Sequence, residues 1–451
     1  MIKGQTKIEL VDVNTNEKKT YLDNNMITQA IPNLFKSQSV ILGLTDISRE
    51  SMLPLNSKGM GGIALFNTTL NEDVNNIALP LEDKVIGIAS SNVYDGDSSR
   101  HGSRNMIESG EIENGYKYVW DFETSQGNGE IKSLGLIHAN AGMYYKGLDV
   151  NIEGSVISRT LAQTRIQVPT VENWTTEYPY IAHFDAKTGF IYCIHTAGTN
   201  KVIITTFKIF TGFNNLGIND SIGTIKFLNK VELETSLTML ANTMWTYSED
   251  DGYFYGFGCL KGTPINCTIV RIKADDLTFD ETYIKQYIVS STSTKGFTWA
   301  LGYTSLCVAN NRLYAYSQNI AIMYLDLTDT SKTAYLPTPD IFSVKTLKVF
   351  NGMIHCGWYY FDLDLTYAKM RYKKNSSNIP GFLNNSSLET AAYISPEGAC
   401  VEFKYESSSS TIYVYYGMIY DYLATINNLS TPIIKTSAQT MKITYTITEV
   451  N

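Results

Sequence analysis

The sequence predicts an all-β protein: a base β-sandwich-like domain formed by both chain ends, with a β-propeller-like domain inserted between them. Three observations carry that reading. The composition is rich in residues that suit a pleated, half-buried surface, with 12% aromatics, 31 of them tyrosine, and only 18% charged residues, against about 25% in an average globular chain. Both ends of the chain alternate apolar and polar positions. The middle repeats a strand–turn pattern. A second β-sandwich in the middle is the alternative, because the repeat is irregular.

The 451 residues allow more than one core. The opening Lys7-Ile8-Glu9-Leu10-Val11-Asp12-Val13 reads as a strand, and Lys18 to Leu22 returns from the turn Asn14-Thr15-Asn16 as the second arm of a hairpin. Apolar residues at 27, 30, 31 and 34 after Asp23-Asn24-Asn25 predict one short helix, cut short by Pro32. Met60 to Phe66 and Val85 to Ala89 read as buried strands. Tyr116 to Phe122 alternates before the turn Ser125 to Gly129. Thr440 to Thr448 is a well-alternated strand that needs a sheet to join, and the N-terminal part supplies it. The domains expected are 1–150, a β domain with the short helix; 151–379, propeller-like; and 380–451, C-terminal strands returning to the base.

Within the middle, a turn carrying Gly or Asn precedes an aromatic-rich strand four times: Gly189-Phe190-Ile191-Tyr192, Gly252-Tyr253-Phe254-Tyr255, Asn311-Arg312-Leu313-Tyr314 and Gly352-Met353-Ile354-His355. Three of these are followed by a strand that ends in an acidic turn, at Asp275-Asp276, Asp326 and Asp362/Asp364. Such units, repeated at one or two multiples of about 40 to 50 residues, are the mark of propeller blades.

Several function classes are excluded or disfavoured. The net charge of −8 argues against nucleic acid, which needs a basic face. No apolar run reaches the roughly 20 residues of a membrane span, and the start lacks a signal peptide's apolar core. The six cysteines, Cys193, Cys259, Cys267, Cys307, Cys356 and Cys400, show neither paired nor metal-finger spacing and read as buried thiols. There is no phosphate loop, nucleophile elbow or zinc-protease helix, so no catalytic residue, cofactor or metal is assigned. The five histidines, His101, His138, His183, His195 and His355, are dispersed. Asp95-Gly96-Asp97-Ser98 has oxygen donors for Ca²⁺ but reads as an ordinary turn. Carboxylate pairs at Asp250-Asp251, Asp275-Asp276 and Asp362/Asp364 sit at turns, where solvation is the simpler account than glycosidase chemistry. Ser248 to Tyr255 loosely resembles the Asp-box turn of sialidase-type propellers, but only Arg271, Arg312 and Arg371 are present nearby to form a carboxylate-binding cluster. What remains is sugar-type recognition by aromatic stacking, with Trp245, Tyr247, Trp299, Tyr303, Trp358 and Tyr359 as candidates. Packing inside blades is the competing role for each.

The chain ends resemble tail and baseplate-associated proteins of bacteriophages and phage-tail-like bacteriocins of Gram-positive bacteria. The resemblance rests on Ile2 to Leu10 with Asn24 to Thr28, Gly61 to Phe66, Gly102 to Asn105, Tyr118 to Ile131, Lys435-Thr436 and Gln439 to Tyr445. It covers roughly the first 135 and last 30 residues. It implies a virion role at the tail tip or baseplate, as a tail fibre or receptor-binding protein assembled in the host cytoplasm. It also implies contacts to other tail proteins through 1–150 and 380–451, and a central part that meets a host surface glycan or protein. A homo-oligomer, with a trimer favoured, is expected from tail symmetry. A structural connector, or a surface-polymer depolymerase, are the alternatives.

Overall fold

The computed structural model describes residues 2–30, 32, 59–80, 84–90, 99–139, 164–169, 180–185, 188–209, 225–240, 243–260, 264–289, 306–317, 321–337, 347–350, 352–356, 359–366, 368–370, 390–394, 399–406, 411–418 and 422–449. Eight strands come first: β1 (Ile2–Asp12), β2 (Lys18–Ile27), β3 (Gly62–Phe66), β4 (Val85–Ser90), β5 (His101–Arg104), β6 (Gly110–Ile112), β7 (Gly115–Phe122) and β8 (Gly129–Ile137). A single strand, β9 (Thr164–Pro169), leads into four groups of four. These are β10 (Ile181–Phe184), β11 (Phe190–Thr196), β12 (Lys201–Ile209) and β13 (Ile225–Glu234); then β14 (Met244–Ser248), β15 (Tyr253–Leu260), β16 (Ile265–Lys273) and β17 (Thr278–Val289). Next are β18 (Leu306–Ala309), β19 (Arg312–Ser317), β20 (Ala321–Asp326) and β21 (Thr333–Pro337), followed by β22 (Leu347–Phe350), β23 (Met353–Cys356), β24 (Tyr359–Asp362) and β25 (Ala368–Met370). The chain finishes with β26 (Thr390–Ile394), β27 (Ala399–Glu406), β28 (Thr411–Met418), β29 (Thr425–Lys435) and β30 (Gln439–Glu449).

Strands from the two chain ends form one sheet in the order β30-β1-β2-β29-β8-β3-β4-β5-β7, and β30 pairs again with β7. The expected base sandwich is therefore a closed nine-stranded barrel, with β6 added on β7. The physical reason is β30. It is hydrogen-bonded to β1 from Ile2↔Glu449 to Asp12↔Gln439 on one edge, and to β7 from Phe122↔Met441 to Gly115↔Thr448 on the other. A strand paired on both edges leaves the sheet no open rim. Alternation turns Tyr118, Trp120 and Phe122 of β7, with Met441, Ile443 and Tyr445 of β30, into the barrel core. Among the described residues only β4 and β5 run parallel.

One barrel end is stoppered by the 123–128 turn. Lys435, 1% exposed, reaches under it and donates from Nζ to the carbonyl of Glu123 (2.9 Å) and to Asn128 Oδ1 (2.8 Å). The expected helix begins later than its first turn was placed, with Ala30 and Pro32 helical. Met26 and Ile27 finish β2, paired with Ile426 and Thr425, and the positions from 33 to 58 lie outside the described residues.

The middle of the chain builds five four-stranded antiparallel sheets, β10 to β13, β14 to β17, β18 to β21, β22 to β25, and β26-β27-β28-β9. Their first strands follow one another in contact, β10 to β14 to β18 to β22 to β26 and back to β10, so the sheets are the blades of a five-bladed propeller. The last blade takes its outermost strand from the start of the insertion: β9 pairs with β28 from Thr164↔Tyr416 to Pro169↔Thr411. Residues 390–418 consequently belong to a propeller sheet, and the strands that return to the barrel begin at 425, not throughout 380–451. Apolar side chains fill the spaces between blades, such as Val202, Phe254 and Ile272 between the first two, and Tyr314, Leu347 and Phe361 between the third and fourth.

The repeated turn read from sequence is the link from first to second strand in four blades. Gly189, Gly252, Asn311 and Gly352 all have positive φ, at 77°, 76°, 57° and 70°, which Gly and Asn adopt most readily. A different glycine controls barrel closure. A Cβ on Gly115 would sit 2.0 Å from the Ile447 carbonyl oxygen, so the β7–β30 pairing exists only without a side chain there. Gly115→Ala is expected to cost about 2 kcal/mol or more, measured by urea unfolding; an unchanged midpoint would show that the closure is not needed for stability.

Candidate functional site

The centre of the propeller is lined from the first strand of each blade, so a residue's place on that strand decides whether it lies near the axis. On β10, the His183 ring lies 4.1 Å from that of Tyr247 on β14, and Tyr247 in turn packs on Phe254 at 5.2 Å. Lys348 stands on β22 between Leu347 and Val349, both of which face the third and fourth blades' shared core. Burial holds the His183 imidazole down to about 3, and the charge of Lys348 adds to that effect. The Lys348 ammonium is itself pushed down by burial, opposed by Cys307 and Glu249. Burial also pushes the Cys307 thiol up to about 12, so it is a neutral thiol and no nucleophile. The polar groups drawn together here are the His183 imidazole and the Tyr247 phenol, with the charge of Lys348 felt by the imidazole.

The sequence-derived candidates divide. Trp245 is 6% exposed; its Nε1 donates to Thr196 Oγ1 at 3.2 Å, and a Cβ at Gly256 would come within 2.7 Å of its ring. It is a wedge between the first and second blades, with no open face for a ligand. Tyr247 is half-buried, with its ring on His183 and Phe254, and packs against the same core between the first two blades. Tyr359 is on β24, opposite Cys356 and Met370. Trp299, Tyr303 and Trp358 lie outside the described residues, as do Asp95 and Asp97 and Arg371. His183 and Lys348 were missed as a pair: a lone lysine in Leu347-Lys348-Val349-Phe350 is the only sequence signal, and it acquires meaning once the ring is closed.

The acidic turns are committed to local structure. Asp326 Oδ1 accepts from the amides of Thr328 (2.8 Å) and Asp329 (3.0 Å), and Asp362 accepts from the amide and hydroxyl of Thr366, both at 2.8 Å. Asp276 accepts from the Thr278 hydroxyl (2.6 Å). In the Asp-box-like turn, Asp251 accepts from the Tyr255 hydroxyl at 2.6 Å, while Asp250 reaches the Asn310 amide of the next blade at 3.1 Å. The Ser248 side chain does not bond this turn: among the described residues its buried Oγ has no hydrogen-bond partner.

Two arginines are likewise structural. The Arg271 guanidinium lies 4.1 Å from the Tyr253 ring centre and 4.0 Å from that of Tyr283, and pairs with Asp280 at 2.7 Å. Arg312 bonds the Leu363 carbonyl (2.9 Å) and Asp364 (2.7 Å), tying the third blade to the fourth. Among the described residues, no group of three or more His, Cys, Asp or Glu could hold a metal ion. Cys193, Cys259, Cys267 and Cys307 are free and buried.

No protein family matches the sequence, and neither does any curated protein. Among solved structures, a glutaminyl cyclase of Myxococcus xanthus is similar over 57% of this chain and 95% of its own, with 8% identity and a TM-score of 0.27. A chain of a mitotic checkpoint complex is similar over 59% of this chain and 72% of its own, with 10% identity and a TM-score of 0.27. Similarity at that level carries no argument about what this protein does.

The axial geometry has a pH consequence. A histidine whose folded value lies near 3 and whose unfolded value lies near 6.5 binds its proton only on unfolding in the interval between them. Its contribution to stability is present above about pH 6.5 and is lost as the pH falls toward 3. Thermal unfolding followed from pH 7 to 4.5 is expected to lose about 2 kcal/mol through this group, and His183→Gln to flatten that part of the curve. An identical slope in the variant would show that His183 is not the group responsible.

Proposed function

We propose that this protein is a non-enzymatic tail or baseplate protein of a phage or phage-tail-like particle, attaching the particle to a glycan or protein on the host cell surface. In this reading the barrel faces the particle and the propeller meets the host. One observation carries it: the two chain ends, which bear the resemblance to tail and baseplate proteins, are the parts that close on each other as a single barrel. A separate five-bladed body is inserted between β8 and β29. That is the division expected where one part keeps a fixed place in an assembly and the other varies with what it recognises.

The recognition surface we assign to the propeller's axial region and to the aromatic positions Tyr247, Trp299, Tyr303, Trp358 and Tyr359. Aromatic faces stack on sugar rings while polar side chains satisfy hydroxyls. Individual sites of this kind are weak, and a homo-oligomer, a trimer in our reading, gains its hold through several at once. The protein is placed at the tail tip of the virion, with other tail proteins as partners through the barrel.

The test is adsorption of fluorescently labelled full-length protein to susceptible and resistant host cells, with analysis of sugars released into the supernatant. Selective adsorption without released sugar is expected, and Tyr247→Ala and Lys348→Met should each weaken it about tenfold. Adsorption to neither cell type would contradict the proposal in favour of a structural connector, and released wall or capsule fragments would contradict it in favour of a depolymerase.

A further inference from the structure

At the barrel end opposite the 123–128 stopper, a pocket of about 520 Å³ opens between β6, β7 and β30. Register fixes what it presents. Glu111 of β6 is opposite Tyr116 of β7, Tyr116 is opposite Ile447 of β30, and Tyr118 is opposite Tyr445. Tyr118 and Tyr445 belong to the barrel core, with Tyr116 and Ile447 packed against it. Since side chains alternate faces along a strand, Glu111, Tyr116, Ile447 and Glu449 share the inward-facing parity, and all of them line the pocket. Two exposed carboxylates therefore stand at the rim of a mouth lined by Met60, Ile112, Tyr116, Tyr118 and Ile447, with Asn114 beside them.

Three features bear on what the pocket could bind, and the second points to a ligand. First, neither Glu111 nor Glu449 has an ion pair or side-chain hydrogen bond among the described residues, whereas Glu9 and Glu108 of the same barrel are each paired with lysines. Second, Tyr118 is 0% exposed and lines the pocket, and its hydroxyl has no hydrogen-bond partner. A buried phenol normally finds one. Third, the inner ring system is firmly set. Tyr118 stacks on Trp120 at 5.6 Å with 5° between planes, and the Tyr116 hydroxyl accepts from Arg104 Nη2 at 3.1 Å. Arg104 contributes one positive charge beneath the tyrosines against two carboxylates at the mouth, leaving the pocket net negative.

We propose that this pocket receives a lysine or arginine side chain of a partner chain. The aliphatic stem would lie against Ile447 and Met60, and the cationic head would meet Glu111, Glu449 and the unpartnered Tyr118 hydroxyl. Aromatic faces with two carboxylates at the rim are complementary to a cation on a hydrocarbon stem, and to neither an anion nor a neutral apolar group. This site is separate from the propeller and does not rest on the role proposed for it.

The experiment titrates full-length protein with N-acetyl-lysine amide and N-acetyl-arginine amide, with N-acetyl-norleucine amide and N-acetyl-glutamate amide as neutral and anionic controls, reading Trp120-region fluorescence and heat. Millimolar binding of the two cations is expected, with each control at least tenfold weaker. The Glu111→Gln/Glu449→Gln double variant should weaken cation binding about tenfold. Tyr118→Phe, which removes only the unpartnered hydroxyl, should weaken it severalfold while leaving the melting temperature unchanged or raised. Equal binding of norleucine and lysine amides, binding indifferent to the double variant, or no binding of either cation would overturn the proposal.

Discussion

β30 holds the architecture together because it is paired along both of its edges. Without it, β1 and β7 would each present a run of unpaired amides and carbonyls, and the face carrying Tyr118, Trp120 and Phe122 would lose the residues that cover it. The two ends of a long chain are thereby brought side by side, and the entropy of closing such a loop grows only logarithmically with its length. A large insertion is tolerated on one condition: its own ends must emerge close together. The propeller meets that condition through its fifth blade. β9 enters and β28 leaves as neighbouring antiparallel strands, as β8 and β29 are neighbours in the barrel. Two closures of the same kind, one within the other, are what the fold consists of.

Much of this was written locally. The hairpin β1–β2, the buried β3 and β4, and the alternation of β7 and β30 follow from apolar spacing and turn residues near in sequence. Gly189, Gly252, Asn311 and Gly352 marked four blades because a positive φ restricts residue choice whatever the tertiary context. The features that escaped depend on pairings between distant segments. A closed barrel and a sandwich differ here by the single β7–β30 ladder, which no local pattern announces. The fifth blade was hidden because its fourth strand lies at 164–169, before the other four blades, so its strands read as a return to the base. The short helix starts later than the spacing placed it, because pairing took its first residues: Met26 and Ile27 complete β2 against β29, the Thr28 hydroxyl bonds the Leu423 carbonyl at 2.6 Å, and helical residues follow at Ala30 and Pro32.

The candidate sites show the same division. Residue type alone made Trp245 and Tyr247 equal candidates, yet one is locked by Thr196 and Gly256 and the other sits beside an axial histidine. Their positions two apart on β14 put them on the same sheet face, so the difference lies in depth along the blade, and sequence does not encode that. Lys348 and Glu111 were passed over because isolated charges usually mean solvated surface. Each gains its meaning from register and ring closure, which let the charge of Lys348 reach His183 and set Glu111 at the rim of a barrel mouth.

The most direct test of this account is whether the propeller is a closed body in its own right. The excised segment 164–418 should unfold in one cooperative thermal transition, with the amides of β28 as protected from hydrogen exchange as they are in the full chain. If the segment is unfolded alone, or if the β28 amides exchange freely while those of β15 and β16 stay protected, the β9–β28 pairing does not close the ring and the nested arrangement described above is wrong.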